Sequence, residues 1–311
     1  MDELREQLND SAPETPQKKS KRFLGVVYII LSAFFFALMS VFVRLAGDLP
    51  TFQKSFFRNL VAALVAFVLL LKSGSLKMRK GSLPALLARS VAGTVGIVCN
   101  FYAIDHMNVA DASILNKLAP FFSIVFSALF LKEKASPLDW IFVFVAFGGA
   151  LFVVKPSLDI VRSAPALLGV LGGLGAGLAY TFVHYLGGRG ERTAFIVFFF
   201  SAFSCLAVLP FTIADFQPMT TPQILFLLLA GCAASCAQFS VTAAYSRAPA
   251  KEISVYDYSQ VLFAALWGLL LFSEIPDLFS FIGYAIIIGA AVLKYFLTAR
   301  KHRKSRKNPP A

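Results

Sequence analysis

The chain has 311 residues, of which 58% are hydrophobic and only 15% are charged. This composition excludes a disordered chain, a coiled coil and a soluble nucleic-acid-binding protein. The formal net charge of +12 comes from Lys and Arg residues that lie mainly between and beyond the apolar segments, which indicates membrane topology and not an acidic partner.

Ten apolar segments follow one another along the chain, and each is long enough to cross a membrane as a helix, which takes about 17–25 residues. The predicted spans are Phe23–Ala46, Ser55–Leu71, Pro84–Ile104, Val109–Leu131, Leu138–Val154, Pro165–Leu186, Thr193–Ile213, Ile224–Tyr245, Ile253–Phe272 and Phe279–Leu297. Only short loops separate them, so successive helices are antiparallel neighbours. The sequence therefore predicts an all-α integral membrane protein.

The spans divide the chain into four regions. A polar N-terminal tail (residues 1–22) precedes a first five-helix unit (23–155), and a second unit (165–297) precedes a basic C-terminal tail (298–311). The tails and the loops on their side of the membrane contain 21 of the 29 Lys and Arg residues, whereas the opposite loops contain only Lys155 and Arg162. This asymmetry predicts a multi-pass protein of the cytoplasmic membrane with both termini in the cytoplasm.

The two five-helix units repeat each other. A shift of 141 residues superimposes three residues of the fourth and fifth helices, Ser113, Glu133 and Gly148, on three of the ninth and tenth, Ser254, Glu274 and Gly289. Because each unit has an odd number of helices, the second unit enters the membrane from the side opposite to the first. Inverted repeats of this kind are typical of secondary transporters, which bind substrate near the midplane between the repeats.

Local motifs in both units resemble a known family. The segment Asn108–Pro156 has a mid-helix proline, Pro120, an acidic loop residue, Glu133, and a glycine-bearing last helix, and Ile253–Leu293 repeats the acidic residue and the glycine. Together with the ten spans, this pattern resembles the EamA domain of the drug/metabolite transporter superfamily. The resemblance covers roughly Phe23–Leu297 and implies a transporter of two inverted five-helix repeats, without indicating its substrate.

Ionisable residues inside membrane spans are costly, so they mark candidate substrate or ion sites. One face of the fourth helix carries four residues at helical spacing: Ser113, Asn116, Lys117 and Pro120. The shift of 141 places three polar residues at matching positions of the ninth helix: Ser254, Asp257 and Tyr258. Lys117 and Asp257 each lie about 10–12 Å deep in a slab of about 30 Å, so they bracket its midplane.

We expect Lys117 to bind a carboxylate or another anionic group of the substrate. Asp257 is expected to bind a cationic group or to carry a proton. A direct ion pair between the two residues is the alternative for both. Because Pro120 has no N–H, it is predicted to kink the fourth helix and to leave the carbonyl of Asn116 free beside Lys117.

Further polar residues are predicted to complete the substrate site: Asn116, Tyr258, Tyr180, His184, Gln238, Ser113 and Ser254. His184 fits either a hydrogen-bonded structural residue or a proton relay. Arg58, about one turn inside the second helix, fits three roles: holding an outer gate, binding an anion, or reaching the membrane interface. Glu133 and Glu274 lie at helix ends, where they are expected to cap helices or hold loops.

Small residues predict close helix packing at two places. Gly169, Gly173 and Gly177 are spaced by four on the sixth helix, and Cys232 and Cys236 lie in a run of small residues on the eighth. A metal-binding cysteine pair is the alternative for the eighth helix. We expect packing there, and neither a metal nor another cofactor is predicted.

These features predict a secondary active transporter that moves a small polar organic metabolite, carboxylate-bearing or zwitterionic, by alternating access. Because no GxxxxGK[ST] phosphate loop occurs, transport is expected to use a gradient or exchange. The alternative is a proton-coupled exporter of hydrophobic cations, although Lys117 would repel a cation. The chain lacks a reactive constellation typical of enzymes. The expected partners are the substrate and membrane lipid, without nucleic acid, and both a monomer and a homodimer fit.

Overall fold

The computed structural model describes residues 16–73, 77–106, 114–133, 135–155, 164–273 and 275–307. Among these residues, ten helices are long and apolar enough to cross a membrane. They are α1 (Pro16–Leu45), α2 (Thr51–Lys72), α3 (Leu83–His106), α4 (Ile114–Leu131), α5 (Pro137–Val154), α6 (Ala164–Gly188), α7 (Thr193–Ala214), α8 (Thr221–Tyr245), α9 (Ala250–Phe272) and α10 (Leu278–Lys307). The predicted all-α fold of ten spanning helices is confirmed.

The first and last helices are longer than predicted. Helix α1 begins at Pro16, and α10 continues to Lys307, so parts of both predicted polar tails are helical. Proline is well tolerated in a first helical turn. Residues 298–307 contain neither glycine nor proline and are rich in lysine and arginine, which favour helix. Charge ends the membrane span there but does not end the helix.

The helices pack with the pseudo-two-fold symmetry of an inverted repeat, in which each helix corresponds to the one five places later. The packing of α3 on α6 corresponds to that of α8 on α1, and the packing of α4 on α6 corresponds to that of α9 on α1. Helices α2 and α7, and likewise α5 and α10, pack against their own counterparts. Most large interfaces therefore join one repeat to the other.

Glycines bring α6 into close contact with α4. A Cβ atom on Gly173 would lie 2.8 Å from the carbonyl oxygen of Leu115, and one on Gly177 would lie 2.8 Å from the backbone nitrogen of Ser123. Gly169 packs against the side chain of Leu115. The predicted packing face on α6 is thus present, and it holds α6 directly against the part of α4 that carries Lys117.

The cysteines of α8 do not pack as predicted. Both Cys232 and Cys236 are exposed on the outer surface, whereas Gly231, Ala234 and Ser235 are buried on the opposite side of the helix. The small residues mediate the packing, and the cysteines face the lipid side because they occupy the other face of the same helix. No group of three or more His, Cys, Asp or Glu that could hold a metal occurs among the described residues.

Charged contacts join α5 to α10 at both ends. Near one end, the buried ammonium group of Lys294 contacts the carboxylate of Asp139. At the other end, Lys155 contacts Asp277 in the loop before α10. The hydrogen bond from Lys155 and two from Ser280 lower the pKa of Asp277 to about 2, so the Asp277 carboxylate is ionised at neutral pH.

Helices α4 and α9 are both interrupted within their membrane spans, a few residues after the described start of each. In α4, a turn at Lys117 and Leu118 precedes the regular α-helix Ala119–Leu131. In α9, the 3₁₀ segment Ser254–Tyr258 precedes the regular α-helix Ser259–Phe272. The shift of 141 aligns the two interruptions. Broken helices at corresponding positions of two repeats are a feature of substrate sites in secondary transporters.

Candidate substrate-binding site

The interrupted segments of α4 and α9 contact each other directly. The hydroxyl of Tyr258 donates a hydrogen bond of 3.0 Å to the backbone carbonyl of Lys117. An acceptor next to a helix interruption lacks its usual partner, and here a side chain of the other repeat replaces it. The sequence predicted a free carbonyl at Asn116; the hydrogen bond observed at this break is made by the neighbouring carbonyl of Lys117.

The charged centre of the site consists of Lys117, Asp257 and Gln260. The Lys117 ammonium nitrogen lies 3.3 Å from Oδ2 of Asp257 and 2.6 Å from Oε1 of Gln260. Lys117 is only 6% exposed and Asp257 only 8%. The direct ion pair that the sequence left as an alternative is therefore present in this conformation. The pair links α4 of the first repeat to α9 of the second.

Helix ends add to the electrostatics of this centre. The regular α-helices Ala119–Leu131 and Ser259–Phe272 both begin at the site, so the positive ends of both helix dipoles lie there. Asp257 stabilises one of these positive ends, whereas Lys117 adds a further positive charge to the other. The surroundings of Lys117 therefore favour a negatively charged group.

A hydroxyl cluster packs beside the charged centre. Oγ of Ser123 lies 3.3 Å from Oγ of Ser254, and the hydroxyl of Tyr245 interacts with both serines. The ring of Tyr180 stacks on that of Tyr245 with centroids 4.8 Å apart. Ser254 and Tyr258 are fully buried, so in this conformation both make protein contacts. Their predicted roles in substrate binding stay predictions.

Two arginines lie in the interior of the first repeat. Arg58 of α2 is 3% exposed, and its guanidinium donates to the sulfur of Met39 at 3.1 Å and to Oδ1 of Asn59 at 3.3 Å. Arg89 of α3 is 2% exposed and donates to Oε1 of Gln238 at 3.2 Å. The burial of Arg58 contradicts one of its three predicted roles, reaching the membrane interface, because its side chain turns into the bundle.

His184 lies near the end of α6, and none of its hydrogen-bond partners belongs to the charged centre at Lys117. One ring nitrogen lies 2.6 Å from the carbonyl oxygen of Tyr245, and the other lies 2.9 Å from Oε1 of Glu133. Glu133, which was expected to cap a helix or hold a loop, contacts the opposite repeat through this bond. Both ring nitrogens of His184 thus have protein partners, as a structural histidine would.

The structure brings together part of the predicted site. Lys117, Asp257 and Tyr258 meet, and Tyr180 and Gln238 lie on neighbouring helices that face the two arginines. Asn116 is half-buried beside Lys117, and Ser113 lies outside the described residues. Sequence reasoning missed Gln260 and Arg89 as site residues. Each had a signal: Gln260 lies three residues after Asp257, and Arg89 is a charge well inside a span.

The fold and the site geometry agree with the comparisons with known proteins. The family model for EamA-like transporters matches the chain twice, over residues 23–155 and 163–296. The chain belongs to the EamA-like transporter family. It is therefore a multi-pass membrane protein and a transporter of the drug/metabolite transporter superfamily, not an enzyme.

Individual relatives cover nearly the whole family region. The chain is 36% identical over 270 residues to the pseudopaline exporter CntI of Pseudomonas aeruginosa, covering 86% of this chain and 94% of the exporter. It is 26% identical to a riboflavin transporter of Brucella anthropi, covering 83% and 93% of the two chains. A solved crystal structure with 16% identity has a TM-score of 0.75 and covers 89% of this chain and 98% of its own, which shows a shared fold.

Proposed function

We propose that this protein moves a small polar organic metabolite, carboxylate-bearing or zwitterionic, by alternating access. The observation that carries the proposal is the buried Lys117–Asp257 ion pair, located where the interrupted helices of both repeats meet. Charges in a membrane interior are retained mainly where they serve transport. The pair gives the site one group for an anion and one for a cation.

The pair also suggests how substrate is bound and released. A substrate carboxylate replaces Asp257 as the partner of Lys117, so the buried ammonium never loses its counter-ion. Asp257 is then free to bind the amine of a zwitterion or to take up a proton. Gln260, which accepts from Lys117 at 2.6 Å, holds the ammonium group in place during the exchange.

The interrupted helices are suited to the conformational change. At a break, few backbone hydrogen bonds have to be remade when one repeat rocks against the other. The bond from Tyr258 to the carbonyl of Lys117 crosses between the repeats and links the state of the site to their relative position.

The relatives support an organic metabolite as substrate and favour export as its direction. One relative is named for pseudopaline and one for riboflavin, and the former is named an exporter. Energy comes from a gradient or from exchange. Because one chain contains both repeats and the complete site, a monomer is sufficient for transport, and a homodimer is compatible with it.

We further propose that the protein resides in the cytoplasmic membrane with both termini in the cytoplasm. The support is the asymmetry of Lys and Arg between the two sets of loops. Labelling of single cysteines in intact cells tests the orientation: a cysteine at Gln217 is expected to react with an impermeant thiol reagent, and one at Arg189 is expected to be protected.

Thermal stability of the purified protein tests the site. A ligand of the native state raises the melting temperature by mass action, so a library of amino acids, organic acids, nucleosides and quaternary amines is screened with wild type, Lys117→Ala and Asp257→Asn. Carboxylates are expected to stabilise the wild type, and Lys117→Ala is expected to lose that response. Stabilisation only by hydrophobic cations, unchanged in Lys117→Ala, would replace this proposal with proton-coupled multidrug export.

A further inference from the structure

The buried charges of the membrane spans do not balance. Among the residues that the structure describes, Lys117 pairs with Asp257 and Lys294 with Asp139, but Arg58 and Arg89 have no carboxylate partner. A buried charge without a counter-charge is strongly unfavourable, and arginine does not escape the cost by losing its proton. The two guanidinium groups are therefore expected to bind an anion that does not belong to the described residues.

Both arginines contact groups at the same stretch of α8. Arg89 donates to Gln238 of that helix, and Arg58 donates to Met39, which packs against Ala233 and Ala234 one turn before Gln238. Arg89 stacks on Phe200, with its central carbon 3.9 Å from the ring centroid, which fixes the plane of the guanidinium. Its Nε is buried without a hydrogen-bond partner. Oriented but unused N–H donors next to a second cation are suited to bind a carboxylate.

The arginine pair is connected to the Lys117 centre. Tyr180 stacks on Tyr245, and the Tyr245 hydroxyl contacts Ser254 in the 3₁₀ segment that carries Asp257. Arg58, Arg89 and Lys117 belong to the first repeat, on α2, α3 and α4, whereas the buried Lys294 of α10 is paired with Asp139. Helices α6, α7 and α8 of the second repeat contain no Lys or Arg and present neutral polar groups such as Gln238. The three helices that carry these cations thus pack against helices of the second repeat that have no Lys or Arg.

We propose that Arg58 and Arg89, with Gln238 and Tyr180, form a second anion subsite, so that the substrate carries at least two anionic groups and belongs to the amino di- or polycarboxylates. One carboxylate binds Lys117 and the other binds the arginine pair, while Asp257 takes the amine. The assignment of one carboxylate to Lys117 rests on the function proposed above, whereas the arginine subsite rests on the contacts of Arg58 and Arg89.

The test uses three probes that differ mainly in their number of carboxylates: glycine, iminodiacetate and nitrilotriacetate. The melting temperature of the full-length protein in an uncharged detergent is measured with each probe at equal concentration and ionic strength. Iminodiacetate and nitrilotriacetate are expected to stabilise the wild type more than glycine does. Loss of a hydrogen-bonded charge weakens binding about 10- to 100-fold, so Arg58→Gln and Arg89→Gln are expected to reduce the iminodiacetate response to that of glycine.

Conservative and control variants separate recognition from folding. Arg58→Lys and Arg89→Lys keep the charge but lose the planar donor fork, and they are expected to retain only part of the iminodiacetate response. Arg44→Gln is the matched control, because Arg44 is exposed on α1 and stacks on Phe272 away from the site. It is expected to respond to all three probes as the wild type does.

Three outcomes would overturn the proposal. The first is equal stabilisation of the wild type by glycine and iminodiacetate, and the second is an iminodiacetate advantage that survives both Arg→Gln variants. The third is stabilisation through the arginines by the anionic lipid phosphatidylglycerol but not by iminodiacetate. Lys117→Gln distinguishes the two proposals. If Lys117→Gln removes the glycine response and the Arg→Gln variants leave the iminodiacetate response unchanged, the Lys117 site is supported and the arginine subsite is not. If Lys117→Gln leaves every response unchanged while the Arg→Gln variants reduce the iminodiacetate response, only the arginine subsite is supported.

Discussion

Lys117 and Asp257 stabilise each other in a part of the protein that is almost completely buried. Their attraction compensates for lost hydration only while both charges are present. The same dependence makes the pair useful for transport, because a substrate that offers both charges separates it without leaving either group unpaired.

We expect the two residues to be coupled in stability. Lys117→Gln or Asp257→Asn alone leaves one buried charge without a partner and should lower the free energy of unfolding by about 3–5 kcal/mol. The double variant should recover most of this loss. Thermal melting of the four proteins measures the coupling, and additive effects of the two substitutions would contradict a native ion pair.

The hydrogen bond of Tyr258 gives a second prediction about stability. Tyr258→Phe removes the donor to the carbonyl of Lys117 and leaves a buried acceptor unsatisfied, which should cost about 1–3 kcal/mol of stability. Tyr256→Phe is the matched control in the same 3₁₀ segment, since the Tyr256 hydroxyl makes no hydrogen bond to any described residue. Equal melting temperatures of the two variants would argue against the bond.

The charged centre was predictable from the sequence because membrane depth and the repeat pointed to the same two residues. Lys117 and Asp257 lie in aligned helices, and an ionisable side chain in an apolar span is conspicuous. Gln260 was harder to recognise, since a neutral amide has a weaker signal and its contact depends on the turn of the 3₁₀ segment. Arg89 also lies inside a predicted span, but it was not among the predicted site residues, because only its burial against Phe200 separates it from a residue near the membrane edge.

Helices α4 and α9 are interrupted for different local reasons. In α4, Pro120 lies in the first turn of the regular helix and removes a backbone donor, so the proline predicts a break there. The segment Ser254–Tyr258 of α9 contains neither proline nor glycine. This segment packs against α1, α5 and α4, and no pattern within it reveals those contacts.

The close packing of α6 on α4 predicts which glycine substitution the fold will not tolerate. Gly173→Val should prevent the native packing, because the added side chain meets the backbone oxygen of Leu115, which has no room to move within a packed helix pair. Gly148→Val on α5 is the control, since nothing lies within 4 Å of its Cβ position. The yield of monodisperse protein on size-exclusion chromatography measures the difference, and similar yields would contradict the described interface.

The sequence predicted the helices better than their ends. Hydropathy marks where a chain enters and leaves the hydrocarbon, so the bounds of the ten predicted spans lie within a few residues of those in the structure. A helix does not have to stop at the membrane surface, and helix-favouring residues carry α10 to Lys307. For the same reason, the run of small residues on α8 predicted close packing but not which face of the helix is buried.

At the scale of the whole molecule, the repeats contact each other at both faces of the bundle. At the face where α1 begins and α10 ends, Glu133 of the first repeat contacts His184 of the second. At the opposite face, Gln53 of α2 donates to the carbonyl of Gln217 at 2.9 Å and accepts from its backbone nitrogen at 3.0 Å. Rocking of the repeats requires these contacts to open alternately.

The contact at Gln53 is therefore expected to act as a gate. A bifunctional thiol reagent that crosslinks Gln53→Cys to Gln217→Cys should stop transport, whereas each single variant treated in the same way should retain it. A cleavable crosslinker should restore activity on reduction. Full transport by the crosslinked double variant would show that the repeats do not separate at this face.

The most direct test of the account is exchange transport by the protein reconstituted in liposomes. The carboxylate that best stabilises the purified protein is loaded inside the vesicles, and uptake of the same compound in labelled form is followed for wild type, Lys117→Gln and the Lys117→Gln/Asp257→Asn double variant. We expect exchange by the wild type only, with the double variant folded but inactive. Exchange by the double variant at the wild-type rate would contradict a substrate site at Lys117 and Asp257.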